Sequence, residues 1–242
     1  MRTQVVFDGH DLTNLFAVSD LRNSLLPRNI GTSVVPGRDG NLFTGATLSA
    51  RTISLRLTII DRSIAGRQAA ERLLASILAV DEPRPLSISI DGGLYYMAIP
   101  KADSEGARYR NATSYEVTFE VPDPVAYGET KTVTVPSGGT LTFTVGGTYP
   151  TMPTISAPAA ANGSGGYWRL RLEDGSYLIA YIPSGVSSAP VIADCEKRTL
   201  KVNGTVALLV PDADWLVLEP GEHTLEMTGT GAATVAFTER WL

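Results

Sequence analysis

Cysteine, histidine and lysine are nearly missing from these 242 residues. The lone Cys195 can form no intrachain disulfide, and with only His10 and His223 beside it no Cys- or His-rich metal cluster can be assembled. Neither histidine has a nucleophile close to it in sequence, and no G-x-S-x-G elbow occurs. None of Lys101, Lys131, Lys197 and Lys201 follows a glycine, which excludes a phosphate-gripping loop of the Walker kind. A basic footprint for nucleic acid is absent too, the net charge being −5. Long apolar runs are missing. The longest stretch without charge or histidine, Thr132 to Trp168, is filled with Thr, Gly, Pro, Ala and Ser and would not hold a helix in lipid. The opening MRTQVVFDGHDL has no apolar core of signal-peptide length before Asp8. These absences predict no catalytic, metal or cofactor-binding residues, no bound cofactor, no membrane partner, and synthesis in a cytoplasm.

What is present is apolar material in a period of two. Hydrophobic residues make up 43% and charged residues 19%, enough for a packed core and too little charge for a disordered chain. Ile53, Leu55, Leu57 and Ile59 alternate with Thr52, Ser54, Arg56 and Thr58. The same alternation runs through Leu86/Ile88/Ile90, Tyr115/Val117/Phe119/Val121, Leu141/Phe143/Val145 and Leu225/Met227. Such strands bury one face and wet the other, as antiparallel sheets do. Asp8-Gly9, Asp39-Gly40, Asp91-Gly92, Asp174-Gly175 and Asn203-Gly204 punctuate them, and Asn203-Gly204 predicts a two-residue hairpin turn. One segment, about residues 64–79, breaks the rule: Ala70, Leu73, Leu74, Ile77 and Leu78 have helical spacing and predict one buried helix face. Asp61 or Ser63 can cap its start, and Pro83 and Pro85 stop its continuation.

The two prolines in Val121-Pro122-Asp123-Pro124 predict a boundary, because proline ends a sheet strand. Residues 1–128 carry 13 Lys+Arg against 14 Asp+Glu, and residues 129–242 carry 7 against 11. The expected organisation is mainly β: two β-sandwich modules, 1–128 with the single helix and 129–242 without one. Of 16 arginines, 12 lie in the first module, and Arg is enriched at protein interfaces where Lys is depleted.

The remaining polar motifs have plain structural readings. Asp212 and Asp214 have the chemistry of a glycosidase carboxylate pair, but their place after Val210-Pro211 predicts a polar turn before a strand starting at Trp215. Glu219-Pro220-Gly221-Glu222 reads as another turn, and Gly163-Ser164-Gly165-Gly166 as a hairpin tip. Tyr167-Trp168 with Tyr177 and Tyr181 could stack on a sugar, yet neighbours on a strand face opposite ways, so at most one of Tyr167 and Trp168 joins the other two. Asn111-Ala112-Thr113, Asn162-Gly163-Ser164 and Asn203-Gly204-Thr205 match the glycosylation pattern, which carries little weight without an export signal. Cys195 reads as a small core residue.

Four segments in order resemble one family, the distal tail proteins of siphophages. They are Val35-Pro36-Gly37-Arg38-Asp39-Gly40-Asn41-Leu42 before the strand Thr52–Ile59, and the capped helix leading to Phe119-Glu120-Val121-Pro122-Asp123-Pro124 with Tyr127-Gly128. Val191-Ile192-Ala193-Asp194-Cys195-Glu196 before Lys201-Val202-Asn203-Gly204 is the third, and Leu218-Glu219-Pro220-Gly221-Glu222-His223-Thr224-Leu225 with a strand through Phe237 is the fourth. The resemblance implies an N-terminal β-sandwich with a helix and a C-terminal galectin-like sandwich. It implies a homohexameric ring at the virion's tail tip, between the tail tube protein and the tail-associated hub protein. DNA would pass through the lumen without specific binding, and receptor-binding proteins would attach outside. Sugar binding does not carry over: no His-Asn-Pro-Arg run exists, and Trp168, Trp215 and Trp241 are not followed by glycine. A lectin-like adhesion module and a glycoside hydrolase stay open as other classes.

Overall fold

The computed structural model describes residues 3–101, 106–109, 112–161, 166–183 and 186–242. Two compact units divide the chain, one up to Tyr127 and one from Gly128 to Trp241. Both are built from antiparallel strands, with one α-helix among the described residues.

The first unit holds β1 (Val5–Phe7), β2 (His10–Asp11), β3 (Phe16–Asn23), β4 (Arg28–Val34), β5 (Asn41–Leu48), β6 (Arg51–Ile59), α1 (Ile64–Leu78), β7 (Arg84–Ile88), β8 (Tyr95–Pro100), β9 (Gly106–Tyr109) and β10 (Ala112–Val121). Its backbone is the pairing of β10 with β6, in which Val117 faces Leu55 and Phe119 faces Ile53. The period-two expectation holds here, with Ile53, Leu55, Leu57, Val117, Phe119 and Val121 at 0% exposure. A second group, β1–β7–β8, turns Val5, Phe7, Leu86 and Ile88 inward. Phe7 and Phe119 meet with ring centroids 5.0 Å apart, so the two groups share one core. The alternation stops one step early at Ile90. β7 ends at Ile88, and the 3₁₀ turn Ser89–Asp91 carries Ile90 outward to 64% exposure.

Helix α1 begins where Ser63 Oγ accepts from the Gly66 amide at 3.0 Å, while Asp61 Oδ1 accepts from the Ser63 amide. Ala70, Leu74 and Ile77 form its buried stripe at i, i+4 and i+7. Leu73 does not join them. It lies about 100° from Leu74 around the axis and is 42% exposed, which narrows the face expected from sequence.

The second unit holds β11 (Ala126–Val135), β12 (Thr140–Val145), β13 (Thr154–Ala160), β14 (Tyr167–Leu172), β15 (Tyr177–Tyr181), β16 (Ala189–Asp194), β17 (Thr199–Val202), β18 (Thr205–Ala207), β19 (Gly221–Thr228) and β20 (Ala233–Trp241), with β11 entering from the first unit. One sheet runs β18-β17-β16-β13-β20-β11 and the other β12-β19-β14-β15. Ile155, Val191, Val235 and Phe237 from the first close on Trp168, Leu170, Leu225 and Met227 from the second in a single core. That arrangement is a β-sandwich.

Two-residue turns set the registers of two hairpins. Asp8-Gly9 joins Phe7 to its partner His10, and Asn203-Gly204 joins Val202 to Thr205, all four turn residues having positive φ. The strand expected from Trp215 does not form; the chain runs irregularly and makes only an isolated bridge between Leu218 and Thr151. Trp215 packs against the core from this loop instead.

Glu239 ties β20 to its surroundings. Its carboxylate accepts from Lys131 Nζ and, at 2.8 Å, from the Gly146 amide. Burial pushes the carboxyl up, but the Lys131 hydrogen bond, the Gly146 amide and the Lys131 charge outweigh it and hold the group below its ordinary 4.5.

Leu74→Ala should cost about 2–5 kcal/mol in urea unfolding through lost transfer energy and a residual cavity. Leu73→Ala should stay within about 1 kcal/mol; equal losses at the two would mean that the buried stripe is wider than Ala70–Leu74–Ile77. Glu239→Gln keeps the acceptor for Gly146 and removes the charge. A carboxyl lowered in the fold contributes stability that is complete above the unfolded pKa near 4.5 and is lost as pH falls through the folded pKa. The variant should therefore lose about 1 kcal/mol at pH 7, since Lys131 is 48% exposed and screened, and should show a shallower loss below pH 4.5 than the wild type.

Candidate functional surfaces

Residues named from sequence for their chemistry are mostly spoken for. His10 lies exposed on β2. His223 is clamped on β19, Nδ1 2.8 Å from Glu173 Oε1 and Nε2 2.7 Å from the Glu219 carbonyl, while Glu173 Oε2 accepts from the Thr224 amide. Burial raises the Glu173 carboxyl, but the Thr224 amide and His223 outweigh it and hold the group below its usual range. Cys195 is buried in the second core, where desolvation pushes its thiol up to about 12. Among the described residues no three His, Cys, Asp or Glu side chains converge as a metal site.

Asp212 and Asp214 both lie exposed at or beside the turn after Val210, and Asp212 is engaged as an acceptor for the Tyr177 hydroxyl at 2.7 Å. That hydrogen bond holds the Tyr177 phenol above its ordinary value. Asn203 forms the β17–β18 turn. Asn111, and residues 162–165 with the Asn162 sequon and most of the Gly-rich tip, lie outside the described residues.

The tyrosines divide as strand geometry requires. Trp168 points into the core at 0% exposure, while Tyr167 faces outward beside Tyr181, its cross-strand partner, and on the same side as Tyr177. Tyr167 and Tyr181 meet edge to face at 76°, so they do not make a flat stacking platform. Arg169 fills the space between, its guanidinium 5.7 Å from the ring centroids of both Tyr167 and Tyr177 and 3.2 Å from Thr228 Oγ1. The aromatic face is thus largely occupied by its own arginine.

The larger uncovered surface is on the first unit, in the hairpin whose tip holds the Asp39-Gly40 turn and the Val35–Leu42 segment of the family resemblance. β4 and β5 pair only with each other among the described strands. Their facing pairs Arg28/Leu48, Ile30/Ala46, Thr32/Phe43 and Val34/Asn41 lie on one side, and Asn29/Thr47, Gly31/Gly45 and Ser33/Leu42 on the other. The first side groups Ile30, Val34, Phe43, Ala46 and Leu48 with the polar Arg28, Thr32 and Asn41. Ile30, Val34 and Phe43 are nonetheless 66%, 76% and 63% exposed. The alternating Ile30, Thr32 and Val34 was the signal that could have found it.

The hairpin's root is held firmly. Arg51, buried on β6, donates from its guanidinium to the Leu25 carbonyl at 3.1 Å and sits 5.3 Å from the Tyr96 ring centroid. Asp91 completes the cluster. Burial raises its carboxyl, offset in part by a Tyr96 hydrogen bond and the Arg51 charge. The Ser49 amide donates to the Pro27 carbonyl at 3.0 Å, closing the root.

A second uncovered apolar surface borders α1. Leu15, Ile60, Ala69 and Leu73 line an open groove of about 440 Å³ between the start of β3, the end of β6 and the helix. Leu15, Ile60 and Leu73 are 39%, 46% and 42% exposed, and Ile64, the first residue of α1, is 69% exposed.

Comparison with known proteins places both units. Residues 10–121 match the model of a phage tail protein RIFT-related domain, and residues 146–241 that of the siphovirus-type tail component C-terminal domain. No curated protein sequence matches the chain. The fold resembles the crystal structure of the Dit protein of phage SPP1, described as a paradigm of the hub adsorption apparatus in phages infecting Gram-positive bacteria. The TM-score is 0.82 at 23% identity over 99% of each chain. A chain of the phage P2 baseplate in its activated conformation with Ca follows, with TM-score 0.54 at 11% identity over 99% of this chain and 98% of that one.

Arg51→Met keeps the aliphatic stem and removes the donors at the hairpin root. It should destabilise the chain by about 1–3 kcal/mol and speed amide hydrogen exchange across residues 28–48; unchanged exchange there would show that Arg51 does not hold the root.

Proposed function

The chain belongs to the distal tail protein family of siphophages, and from that membership we propose that it is the ring-forming hub of a phage tail tip. The observation that carries this reading is the match of two consecutive tail-protein domains together with one fold likeness across 99% of the chain. As a structural component of the tail it needs surfaces rather than a reaction centre. Six copies form a closed ring in the virion. One side of the ring meets the tail tube protein and the other the tail-associated hub protein, while receptor-binding proteins attach to the outside. DNA crosses the lumen without sequence-specific contacts, in keeping with a chain of net charge −5. Synthesis takes place in the host cytoplasm before assembly at the tail tip.

Residues 1–128 build the ring and residues 129–242, a galectin-like sandwich, hang from it. Three features favour this division. The first module holds 12 of 16 arginines, the cation suited to bidentate pairing across an interface. Its charges nearly balance, 13 against 14, so six copies pack with little repulsion, whereas six second modules, each with 7 against 11, repel at low salt. The uncovered apolar hairpin and groove also belong to the first module.

Purified full-length protein should show a solution mass near six times the 25.8 kDa chain and an open-centred ring by electron microscopy. Cross-links between copies, made with carboxyl-reactive reagents because Lys101 is the first module's one lysine, should fall mainly within residues 1–128. Links between copies confined to 129–242 would reverse the assignment of the two modules.

A further inference from the structure

Between β18 and β19 the chain runs irregularly from 208 to 220, a strap that leaves one sheet of the second unit and enters the other. The core holds its middle, where Leu216 and Leu218 are buried, and a pair of 2.8 Å backbone hydrogen bonds ties Leu218 to Thr151. Nearer its start, the Asp214 amide donates to the Tyr177 carbonyl at 2.9 Å. Beyond Leu218, residues 219–222 are exposed. The side chain that reaches this stretch is His223. Its Nε2 lies 2.7 Å from the Glu219 carbonyl, and its Nδ1 lies 2.8 Å from Glu173 Oε1 in the β14–β15 turn. Glu173 Oε2 accepts from the Thr224 amide at 2.7 Å, which fixes the carboxylate against β19.

A neutral imidazole has one N–H and one lone pair, whereas an imidazolium has two N–H groups. Both ring nitrogens of His223 face oxygens that accept, one of a carboxylate and one of a carbonyl. Two N–H protons satisfy both contacts. With one, a ring lone pair meets an oxygen lone pair at one of them, and that contact must open. The bond to the Glu173 carboxylate is charge-assisted and the stronger of the two. The remaining proton therefore stays on Nδ1, and the Glu219 side opens. We infer that His223 is a proton-controlled latch on the strap: it holds the Glu219 carbonyl to the start of β19 while its ring carries both protons, and releases it when one passes to solvent.

The groups around the ring keep one charge state while the imidazole changes its own. Burial raises the Glu173 carboxyl, but the Thr224 amide and His223 outweigh it and keep the group below its ordinary 4.5. Asp174, in the same turn, is held below its ordinary 3.8 by the Ser176 hydroxyl and amide, and the His223 charge adds to this. Both carboxylates are therefore ionised above about pH 5, so a proton that leaves the latch above that pH leaves the imidazole. From β12 comes Phe143, its ring centroid 6.1 Å from that of His223. From the strap comes the Glu219 carbonyl, the Glu219 residue itself being exposed. On β19 itself Glu222 is the neighbouring acid, and alternation sends it to the other face.

Amide hydrogen exchange over residues 214–222 of the full chain, corrected for the intrinsic pH dependence of exchange, reads the strap directly. The wild type should lose about fivefold to tenfold of its protection there, the weight of roughly one hydrogen bond, in one reversible step between about pH 5 and pH 9. A glutamine presents one donor atom and one acceptor atom, so His223→Gln should show the low protection at every pH. Glu173→Gln offers its amide N–H to Nδ1 while its oxygen still accepts from Thr224. A neutral His223 then serves both contacts, and this variant should stay protected throughout. His10→Gln should leave the step as it is. A merely structural histidine would lose protection in both latch variants alike. Thermal melting checks each fold, and either latch variant decides alone if the other does not fold. A wild type without the step overturns the latch, as does a step that persists in His223→Gln or Glu173→Gln or vanishes in His10→Gln.

Discussion

An antiparallel strand has two faces and a soluble chain has room inside for only one of them. Nearly everything in this molecule follows from that constraint. In the first unit it places Leu55 against Val117 and Phe7 against Phe119, and it leaves Arg56 outside to pair with Asp20 at 3.0 Å. In the second it sends Trp168 inward and Tyr167 outward although they are adjacent. The hairpin from Arg28 to Leu48 is where the constraint is unmet within one chain, and an unmet constraint on a stable fold is a statement about neighbours.

The polar groups inside serve the same geometry. Arg51 and Tyr96, both buried, form with the half-buried Asp91 a cluster whose yield is the position of the Leu25 carbonyl, hence the direction in which the hairpin leaves the core. Glu239 does comparable work in the second unit by joining Lys131 and Gly146 to β20. Both position backbone, which suits a protein whose task is to hold a shape among other proteins.

Much of this could be read from residues alone. The strands with strict alternation, the helix with its Ser63 cap and the Asn203-Gly204 hairpin are local features, fixed by pattern and turn chemistry. The failures are equally local in cause. Ile90 continued an alternating pattern that the Ser89–Asp91 turn interrupts, and Leu73 matched helical spacing but fell on the helix flank. Trp215 follows a polar turn and so reads as a strand start, whereas it packs from an irregular segment. The hairpin surface was missed for a different reason. Ile30, Val34 and Phe43 look like core in a sequence, whereas in the fold no described residue covers them. Burial is a property of the fold, while pattern records only the capacity for it.

One strand also sets a timetable. β20 lies inside its sheet, between β13 and β11, and Ala236 pairs with Thr154. During synthesis, roughly 80 residues must follow β13 before this partner exists, an interval of about 4–16 s at ordinary elongation rates. For that time one edge of β13 carries unpaired amide and carbonyl groups, with the apolar Ile155 beside them. Such distant pairing makes for slow folding. A nascent chain paused between Ala160 and Ala233 would therefore offer an open sheet edge to other nascent chains on the same message, at a stage when many copies are already crowded together.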